Sequence, residues 1–298
     1  MGWRRFKNRI SILIGIIWGE LLKLCIRLKG FGGMKPLGHK IDGKEVIIAL
    51  TSYGRRIDSV LPFAIYSLFR QTVMPSKIIL VLDDFERDKV DCRIRYFEKV
   101  GLTIMYDKRD LRSFKKLVPV LEHFPNDIII TVDDDVYYRK FFLEKMLKSF
   151  QENRNCIHAY TMHEVTFTTE GNLKKYHDWI DNDFVKDFPA EKAFPVGVGG
   201  ILYQKTLLYA DVCDVNLFKR LCPMADDIWF FFMAKLNGTM YKKIENKTRH
   251  YIFMDGLYQL THKDASLSKE NVGENKNDIQ LRNVISHYHL DVKELLKI

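Results

Sequence analysis

From Glu45 onward, short runs of aliphatic and β-branched residues alternate with segments of helical periodicity. The runs predict four strands, over residues 46–50, 77–82, 102–105 and 127–132, and a later strand over residues 201–203. The other segments predict helices over about residues 58–70, over 141–150, and from Asp226 to about residue 236. This alternation is typical of βαβ units, in which helices cover a mainly parallel sheet. We therefore predict an α/β fold for the body of the chain.

The first 30 residues follow a different pattern. Residues 10–19 form an apolar run that is too short to cross a bilayer, because a spanning helix needs roughly 20 apolar residues. The apolar period continues beyond this run, while Glu20, Lys23 and Arg27 recur at helical spacing and share one face. We predict an amphipathic helix over residues 1–30 that lies on an anionic membrane surface. A helix packed on the body, a dimer contact and a short membrane anchor are the alternatives.

The charge of the chain divides at the same place. The 298 residues carry a net charge of +9, but residues 1–40 hold nine Lys or Arg and one acidic residue. The rest of the chain is almost neutral and its aromatic residues do not interleave with cations, so we expect no nucleic acid partner. Five cysteines without a paired spacing indicate neither a disulfide framework nor a zinc site. These features predict a peripheral protein on the cytoplasmic face of the inner or plasma membrane.

Polar side chains follow three of the predicted strands. In an open α/β sheet a ligand binds beyond the carboxyl ends of the strands, so we expect these side chains to share one crevice. They are Thr51, Tyr53 and Arg55 after the first strand, Asp83 and Asp84 after the second, and Asp133, Asp134 and Asp135 after the fourth. No G-x-G-x-x-G sequence follows the first strand and no Walker P-loop is present, which argues against a dinucleotide-binding enzyme and a P-loop NTPase.

Asp133, Asp134 and Asp135, here called the acidic triplet, directly follow the most hydrophobic strand. Burial of unpaired carboxylates is costly, and a divalent cation removes that cost. In an extended chain Asp133 and Asp135 point the same way and can share Mg²⁺ or Mn²⁺, while Asp134 points the opposite way. Such an ion neutralises a departing diphosphate. A solvated turn or a helix N-terminus is the alternative explanation.

A second acidic pair, Asp226 and Asp227, opens a predicted helix after Pro223. A carboxylate at this point can take a proton from an incoming hydroxyl, and a simple helix cap is the alternative. Upstream, residues 197–200 read Gly-Val-Gly-Gly. A backbone with so few side chains suits the close approach of a sugar ring, although a structural bulge explains it almost as well.

The order of these elements resembles the GT-A fold glycosyltransferases, closest to the family 2 type. The resemblance rests on Thr-Ser-Tyr after the first strand, Asp-Asp after the second, Ile-Ile-Ile-Thr-Val-Asp-Asp-Asp-Val, the glycine-rich segment and the Asp-Asp helix. It implies a Rossmann-like, mainly parallel sheet flanked by helices, a nucleotide-sugar donor, and Mn²⁺ or Mg²⁺ as cofactor. The implied domain covers residues 45–265, with a linker over 31–44 before it and a helical tail over 266–298 after it.

The resemblance also implies roles for individual residues. Asp227 would be the catalytic base beside Asp226. The metal ligands would be Asp133, Asp135 and a late histidine, either His262 or His250. The residues that would hold the nucleotide-sugar are Thr51, Tyr53, Arg55, Asp83, Asp84, Lys116 or its neighbour Lys115, Asp134, Gly199 and Gly200.

We therefore expect a metal-dependent transferase that moves one sugar from a nucleotide-diphosphate sugar, with a UDP-sugar favoured, to a hydroxyl of a glycan or glycolipid. This activity would serve the synthesis of a cell-surface polysaccharide or lipopolysaccharide, and an Asp base implies inversion. The absence of a Q-x-x-R-W sequence favours addition of one sugar per encounter. The sequence departs from the family pattern at Phe85 and Glu86, where Gly-Ser is usual, and at Asp226, where Glu is usual. The alternatives are a metal-dependent nucleotidyl or phosphoryl transferase and an inactive carbohydrate-binding protein on the same fold.

Overall fold

The computed structural model describes residues 2–181, 190–245, 251–262 and 275–297. The strands within these ranges are β1 (Lys40–Ile41), β2 (Lys44–Thr51), β3 (Lys77–Asp83), β4 (Leu102–Asp107), β5 (Ile128–Thr131), β6 (Val136–Tyr138), β7 (Cys156–Ala159), β8 (Met162–Glu164), β9 (Ile180–Asp181), β10 (Ala193–Pro195), β11 (Ile201–Tyr203), β12 (Met240–Lys243) and β13 (Tyr251–Phe253).

The α-helices of the same residues are α1 (Gly2–Lys29), α2 (Arg56–Ser59), α3 (Leu61–Leu68), α4 (Cys92–Lys99), α5 (Val118–His123), α6 (Phe142–Glu152), α7 (Val215–Leu221), α8 (Asp226–Leu236), α9 (Gly256–Thr261), α10 (Lys276–His287) and α11 (Val292–Leu295). The single helix predicted over residues 58–70 is instead two helices, separated at Val60, which has φ −129°. Pro62 lies in the first turn of α3, where its missing N–H costs no helical hydrogen bond.

The central sheet has the strand order β12-β7-β11-β5-β2-β3-β4, and β1 pairs with β2 beside this path. β2 runs parallel to β3 and β5, and β3 runs parallel to β4, whereas β11 runs antiparallel to β5 and β7. Two smaller sheets, β10-β8-β9 and β13-β6, complete the described strands. The predicted α/β fold, with a mainly parallel central sheet flanked by helices, is confirmed.

The central sheet is buried on both faces. Ile47 and Ala49 of β2 face a core that includes the aromatic side chains of α8. Val46, Ile48 and Leu50 face the opposite core, which is built on α3 and α6. Parallel strands covered on both sides must be apolar at every position, and this explains the continuous hydrophobic runs of the sequence.

Helix α1 packs on the body through a face different from the one expected. Lys23, from the predicted polar face, is buried and its Nζ donates a hydrogen bond to the carbonyl of Met254 (2.9 Å). A Cβ at Gly19 would lie 2.5 Å from the carbonyl oxygen of Phe253, so only glycine allows this approach. From residue 13 onward, the exposed apolar side chains of α1 are Leu13, Ile14, Ile17, Trp18, Leu21, Leu24 and Leu28. In the described part of the chain, no helix is long and apolar enough to span a membrane.

The segments on either side of the predicted catalytic domain also contact it. Phe31, within residues 31–44, packs edge-on against Phe97, with ring centroids 5.3 Å apart. In the C-terminal segment, α10 packs against α8. Its Gln280 Oε1 accepts hydrogen bonds from the backbone N–H groups of Met224 (2.8 Å) and Ala225 (3.1 Å). The C-terminal segment therefore holds the loop that precedes Asp226.

Candidate active site

A crevice of about 460 Å³ lies where the strand order of the central sheet reverses. The chain runs from β2 to β3 and β4 on one side, and β5 then returns to the other side of β2. Ligands of open α/β sheets bind at such a switch point. The residues that line the crevice include Thr51, Ser52, Tyr53, Arg56, Asp83, Phe85, Glu86, Asp110, Arg112, Lys115, Lys116, Asp133, Asp134 and Met224.

One end of the crevice is aromatic and accessible. Tyr53 and Phe85 line it, with 45 % and 75 % of their surface exposed. Thr51 lies deeper, and its Oγ1 donates to the carbonyl of Val81 (2.7 Å). Asp83 forms a buried ion pair with Lys115. This end offers flat rings and a fixed carboxylate, which suits a planar base and a ribose.

The acidic triplet does not continue the extended strand. The chain turns at Asp134 and Asp135, so the predicted alternation of their side chains is wrong. Asp134 accepts hydrogen bonds from Ser52 Oγ (2.5 Å) and from Arg56 (3.1 Å). Asp135 lies 3.3 Å from the same Arg56 guanidinium. The second and third carboxylates of the triplet therefore share one arginine, and the first has other partners.

Arg56 lines the crevice, and nothing in the sequence indicated that it would lie there. Its guanidinium contacts Asp134, Asp135 and Asp255, which lies 3.6 Å away. Burial by itself would lower the pKa of Arg56, but the Asp135 and Asp134 carboxylates outweigh that effect and raise it. No pattern distinguishes Arg56 from Arg55 in the sequence. Asp255 follows the strand β13 and precedes Gly256, so its place at the end of an apolar strand was a signal in the sequence.

The donor set of the triplet fits a divalent cation only in part. Burial raises the pKa of Asp133 to about 6, with Asp135 and Asp226 adding to the effect. Burial also raises the pKa of Asp135 to about 6, together with the charges of Asp134 and Asp255. Both carboxylates would gain from a nearby cation. Among the described residues, however, no group of three His, Cys, Asp or Glu side chains could hold a metal. Two carboxylates suit an Mg²⁺-type ion whose other ligands are phosphate oxygens and water.

Lys116, which lines the crevice, brings the two acidic motifs together. Lys116 Nζ lies 3.7 Å from Asp133 Oδ1 and 3.2 Å from Asp226 Oδ2. Asp227 Oδ2 accepts a hydrogen bond from the backbone N–H of Gly197 (3.0 Å). Lys116 thus joins the end of β5 to the start of α8, although these motifs lie far apart in the sequence.

Asp227 has the electrostatic environment of a general base. Burial raises its pKa to about 7, and the negative charge of Asp226 adds to this effect while Lys116 opposes it. A carboxyl with a pKa near the working pH is an efficient proton acceptor. Gly197 lies close, because a Cβ there would be 2.9 Å from Lys116 Nζ and 3.0 Å from Asp227 Oδ1. A side chain at Gly197 would therefore displace Lys116 or Asp227.

Four residues that were predicted to hold the nucleotide-sugar have contacts or backbone conformations that explain them without it. Arg55 donates to both oxygens of Asp255 (2.7 and 2.6 Å) and does not line the crevice. Asp84 is partly exposed and pairs with Arg87 (2.8 Å). Gly199 and Gly200 have φ values of +97° and +99°, which favour glycine for backbone reasons. A Cβ at Gly200 would also clash with the Phe142 ring at 2.7 Å.

Only one of the two histidines predicted as metal ligands lies within the described residues. His262 follows α9, and its ring stacks on Tyr258 with centroids 4.0 Å apart. It belongs to no group of potential ligands among the described residues. His250 lies outside the described residues. The metal role of a histidine therefore stays a prediction.

The comparison with protein families agrees with the fold. The family model described as glycosyl transferase family 2 matches residues 47–205, which is more than half of the chain. A comparison with curated proteins gives no match. One solved structure that matches is 4-diphosphocytidyl-2C-methyl-D-erythritol synthase from Anaerococcus prevotii DSM 20548. It has 16 % identity and a TM-score of 0.49, and the match covers 75 % of this chain and 98 % of that one. We draw no functional conclusion from so distant a likeness.

Proposed function

Because the chain belongs to glycosyl transferase family 2, we propose that it transfers one sugar from a nucleotide-diphosphate sugar to a hydroxyl of a glycan or glycolipid. A UDP-sugar is the favoured donor, and the product would enter a cell-surface polysaccharide or lipopolysaccharide. The observation that supports this proposal is the convergence of Asp133, Lys116, Asp226 and Asp227 at the switch point of the sheet.

The proposed step is a displacement at the anomeric carbon of the donor sugar. The acceptor oxygen forms a bond to this carbon as the bond between the carbon and the diphosphate oxygen breaks. Asp227 takes the proton of the acceptor hydroxyl, and nucleoside diphosphate leaves. Gly197 holds the Asp227 carboxylate through its N–H, and Lys116 provides positive charge close to it. Attack from the side opposite the leaving group inverts the anomeric configuration.

Asp133 and Asp135 are the proposed ligands of Mn²⁺ or Mg²⁺, with His262 or His250 as a further candidate. When bound, this ion would neutralise charge on the leaving diphosphate. The Arg56 guanidinium lies between Asp134 and Asp135 and a third acid, Asp255, and its positive charge offsets part of their negative charge. Lys116 contributes a second fixed positive charge beside Asp133. The chain's own cations therefore stabilise part of the developing negative charge.

At the aromatic end, Tyr53 and Phe85 would stack on the base, while Asp83 would accept hydrogen bonds from the ribose. The Lys115 ion pair keeps this Asp83 carboxylate in place. Thr51 and Asp134 complete the proposed donor site. Arg55 would act through Asp255, which it anchors.

Residues 1–30 are the proposed membrane attachment. The outer face of α1 exposes aliphatic side chains and Trp18, which is 62 % exposed. Apolar residues of this kind enter the headgroup layer, and nearby Lys and Arg attract anionic lipid. We propose a peripheral location on the cytoplasmic face of the inner or plasma membrane.

A donor screen tests the proposed reaction. We expect one or more UDP- or GDP-sugars to be hydrolysed or transferred when Mn²⁺ is present, with nucleoside diphosphate as the product. The Asp227→Asn variant should lower kcat by about 10²- to 10⁴-fold, the usual contribution of a general base, and leave donor affinity nearly unchanged. The matched control is Asp88→Asn at an exposed site. Release of pyrophosphate would show nucleotidyl transfer instead, and the absence of both turnover and donor binding would reject an enzyme of either type.

A further inference from the structure

An apolar groove of about 1050 Å³ lies between α1 and the β13–α9 segment, apart from the donor crevice. This volume is at the upper end of the range of small-molecule pockets. One wall is formed by the α1 side chains Ile14, Ile16, Trp18 and Leu22. The other wall is formed by Tyr137, Tyr251, Ile252, Phe253 and Leu260.

The groove is open and continues onto a larger apolar surface. Ile14 and Leu260 line it and are 50 % and 44 % exposed. The outer face of α1, with Ile17, Leu21 and Leu28, adjoins it and is also exposed. Apolar surface of this extent marks an interaction site. A molecule in the groove could thus pass its apolar part directly to a membrane.

Two polar side chains interrupt the apolar lining. Arg139 lies at the end of β6 and is exposed. In the described part of the chain no carboxylate forms an ion pair with Arg139. Gln259 of α9 is the second polar residue of the groove. A cation beside an apolar channel is complementary to a molecule that joins a hydrocarbon chain to an anionic group.

The polar part of the groove adjoins the acidic triplet. Gln259 Nε2 donates to Asp135 Oδ2 (3.4 Å), and the backbone N–H of Met254 donates to the carbonyl of Asp135 (2.8 Å). Arg139 follows Asp135 by four residues, which corresponds to about 13 Å of extended chain. The same segment, β13 and α9, therefore forms a wall of the groove and a support of the proposed catalytic centre.

We propose that this groove binds the acceptor, and that the acceptor is an amphiphile with a hydrocarbon chain, a phosphate next to the chain, and a sugar hydroxyl. The inference rests on the proposed glycosyl transfer and names its acceptor class. The chain lies between α1 and α9, the phosphate pairs with Arg139, and the sugar extends past Gln259 toward the triplet. A second copy of the protein would need no cation within its apolar contact, whereas a lipid phosphate does.

Binding of farnesyl phosphate to the full-length protein tests this proposal, with farnesol and inorganic phosphate as the separated halves of the probe. We expect farnesyl phosphate to bind more tightly than either half. Arg139→Gln should weaken its binding by about tenfold, the value of one charge-assisted contact, and leave farnesol binding unchanged. Leu260→Asp, which places a charge in the groove, should weaken both. The matched control, Ile279→Asp, changes an exposed apolar residue of α10, away from the groove, and should alter neither probe binding nor donor hydrolysis.

The outcomes separate this proposal from the glycosyl transfer itself. Donor hydrolysis without binding of farnesyl phosphate would overturn the groove assignment and leave the transferase intact. Equal loss of binding in Ile279→Asp and Leu260→Asp would show adsorption that does not depend on the groove and would overturn it as well. A concentration-dependent dimer that Leu260→Asp dissociates would identify a second copy as the occupant. Binding with the expected variant pattern but no turnover of any donor would reject the transferase and support an amphiphile site alone.

Discussion

The replacement of Asp227 by Asn should make the protein more stable at neutral and alkaline pH. The pKa of Asp227 is raised from 3.8 to about 7, chiefly by burial and then by Asp226. The folded protein therefore binds this proton more tightly than the unfolded chain does. The free energy of unfolding falls as the pH rises from about 4 to about 7 and then stays level, as linkage requires. An asparagine cannot ionise, so the variant escapes this loss.

The size of the effect follows from the shift in pKa. A shift of about three units corresponds to about 4 kcal/mol at about 1.4 kcal/mol per unit. The amide oxygen of Asn can still accept the hydrogen bond from Gly197. The attraction between the carboxylate and Lys116 already lowers this pKa, so the figure includes it. We therefore expect a gain of about 4 kcal/mol at pH 8 and only about 1 kcal/mol at pH 4.5.

Urea unfolding at pH 4.5, 6 and 8, followed by tryptophan fluorescence, measures this difference. The exposed control Asp88→Asn should differ from the wild type by the same small amount at every pH. In the active wild type, kcat/KM should rise through about pH 7 as the base ionises. A stability difference between Asp227→Asn and the wild type that does not change with pH would refute the proposed burial of a charged base.

Two further changes test the surroundings of the site. Replacing Ile17 and Leu21 by Ser should weaken binding to anionic vesicles by at least tenfold, because about 1 kcal/mol of apolar burial is lost per side chain. The control is Ile279→Ser at an exposed position of α10. An equal effect of the control would contradict attachment through α1. Gln280→Ala should reduce kcat roughly tenfold by releasing the loop before Asp226, with donor KM retained. Gln280→Glu keeps the acceptor oxygen and should restore kcat, and failure to do so would mean that Gln280 acts only on stability.

Much of the central sheet could be predicted from local sequence. The runs at residues 46–50, 77–82 and 127–132 consist mainly of aliphatic residues, and each contains a strand buried on both faces. The short strands β6, β8 and β10 carry no comparable pattern, since each has only three residues. The antiparallel direction of β11 depends on its neighbours β5 and β7, which local periodicity does not encode.

The candidate site was predicted less completely than the sheet. The sequence predicted that Asp133 follows a strand and that Asp227 lies at the start of a helix, because polar residues interrupt strong apolar patterns at both points. The directions of the triplet side chains were not, because a turn replaces the extended chain after β5. The sequence predicted helix α1. It did not predict the burial of Lys23, which depends on a hydrogen bond to the carbonyl of Met254, far away in the sequence.

The sequence by itself determined which segments become strands and helices, since those preferences arise from residues a few positions apart. It also determined that carboxylates end two of these segments. Only the tertiary structure decided that Arg56 joins Asp134 to Asp135 and that Lys116 joins Asp133 to Asp226. The physical reason is that strand order brings these groups together across long stretches of chain. Once they are buried side by side, their charges must balance one another, and no local pattern records that requirement.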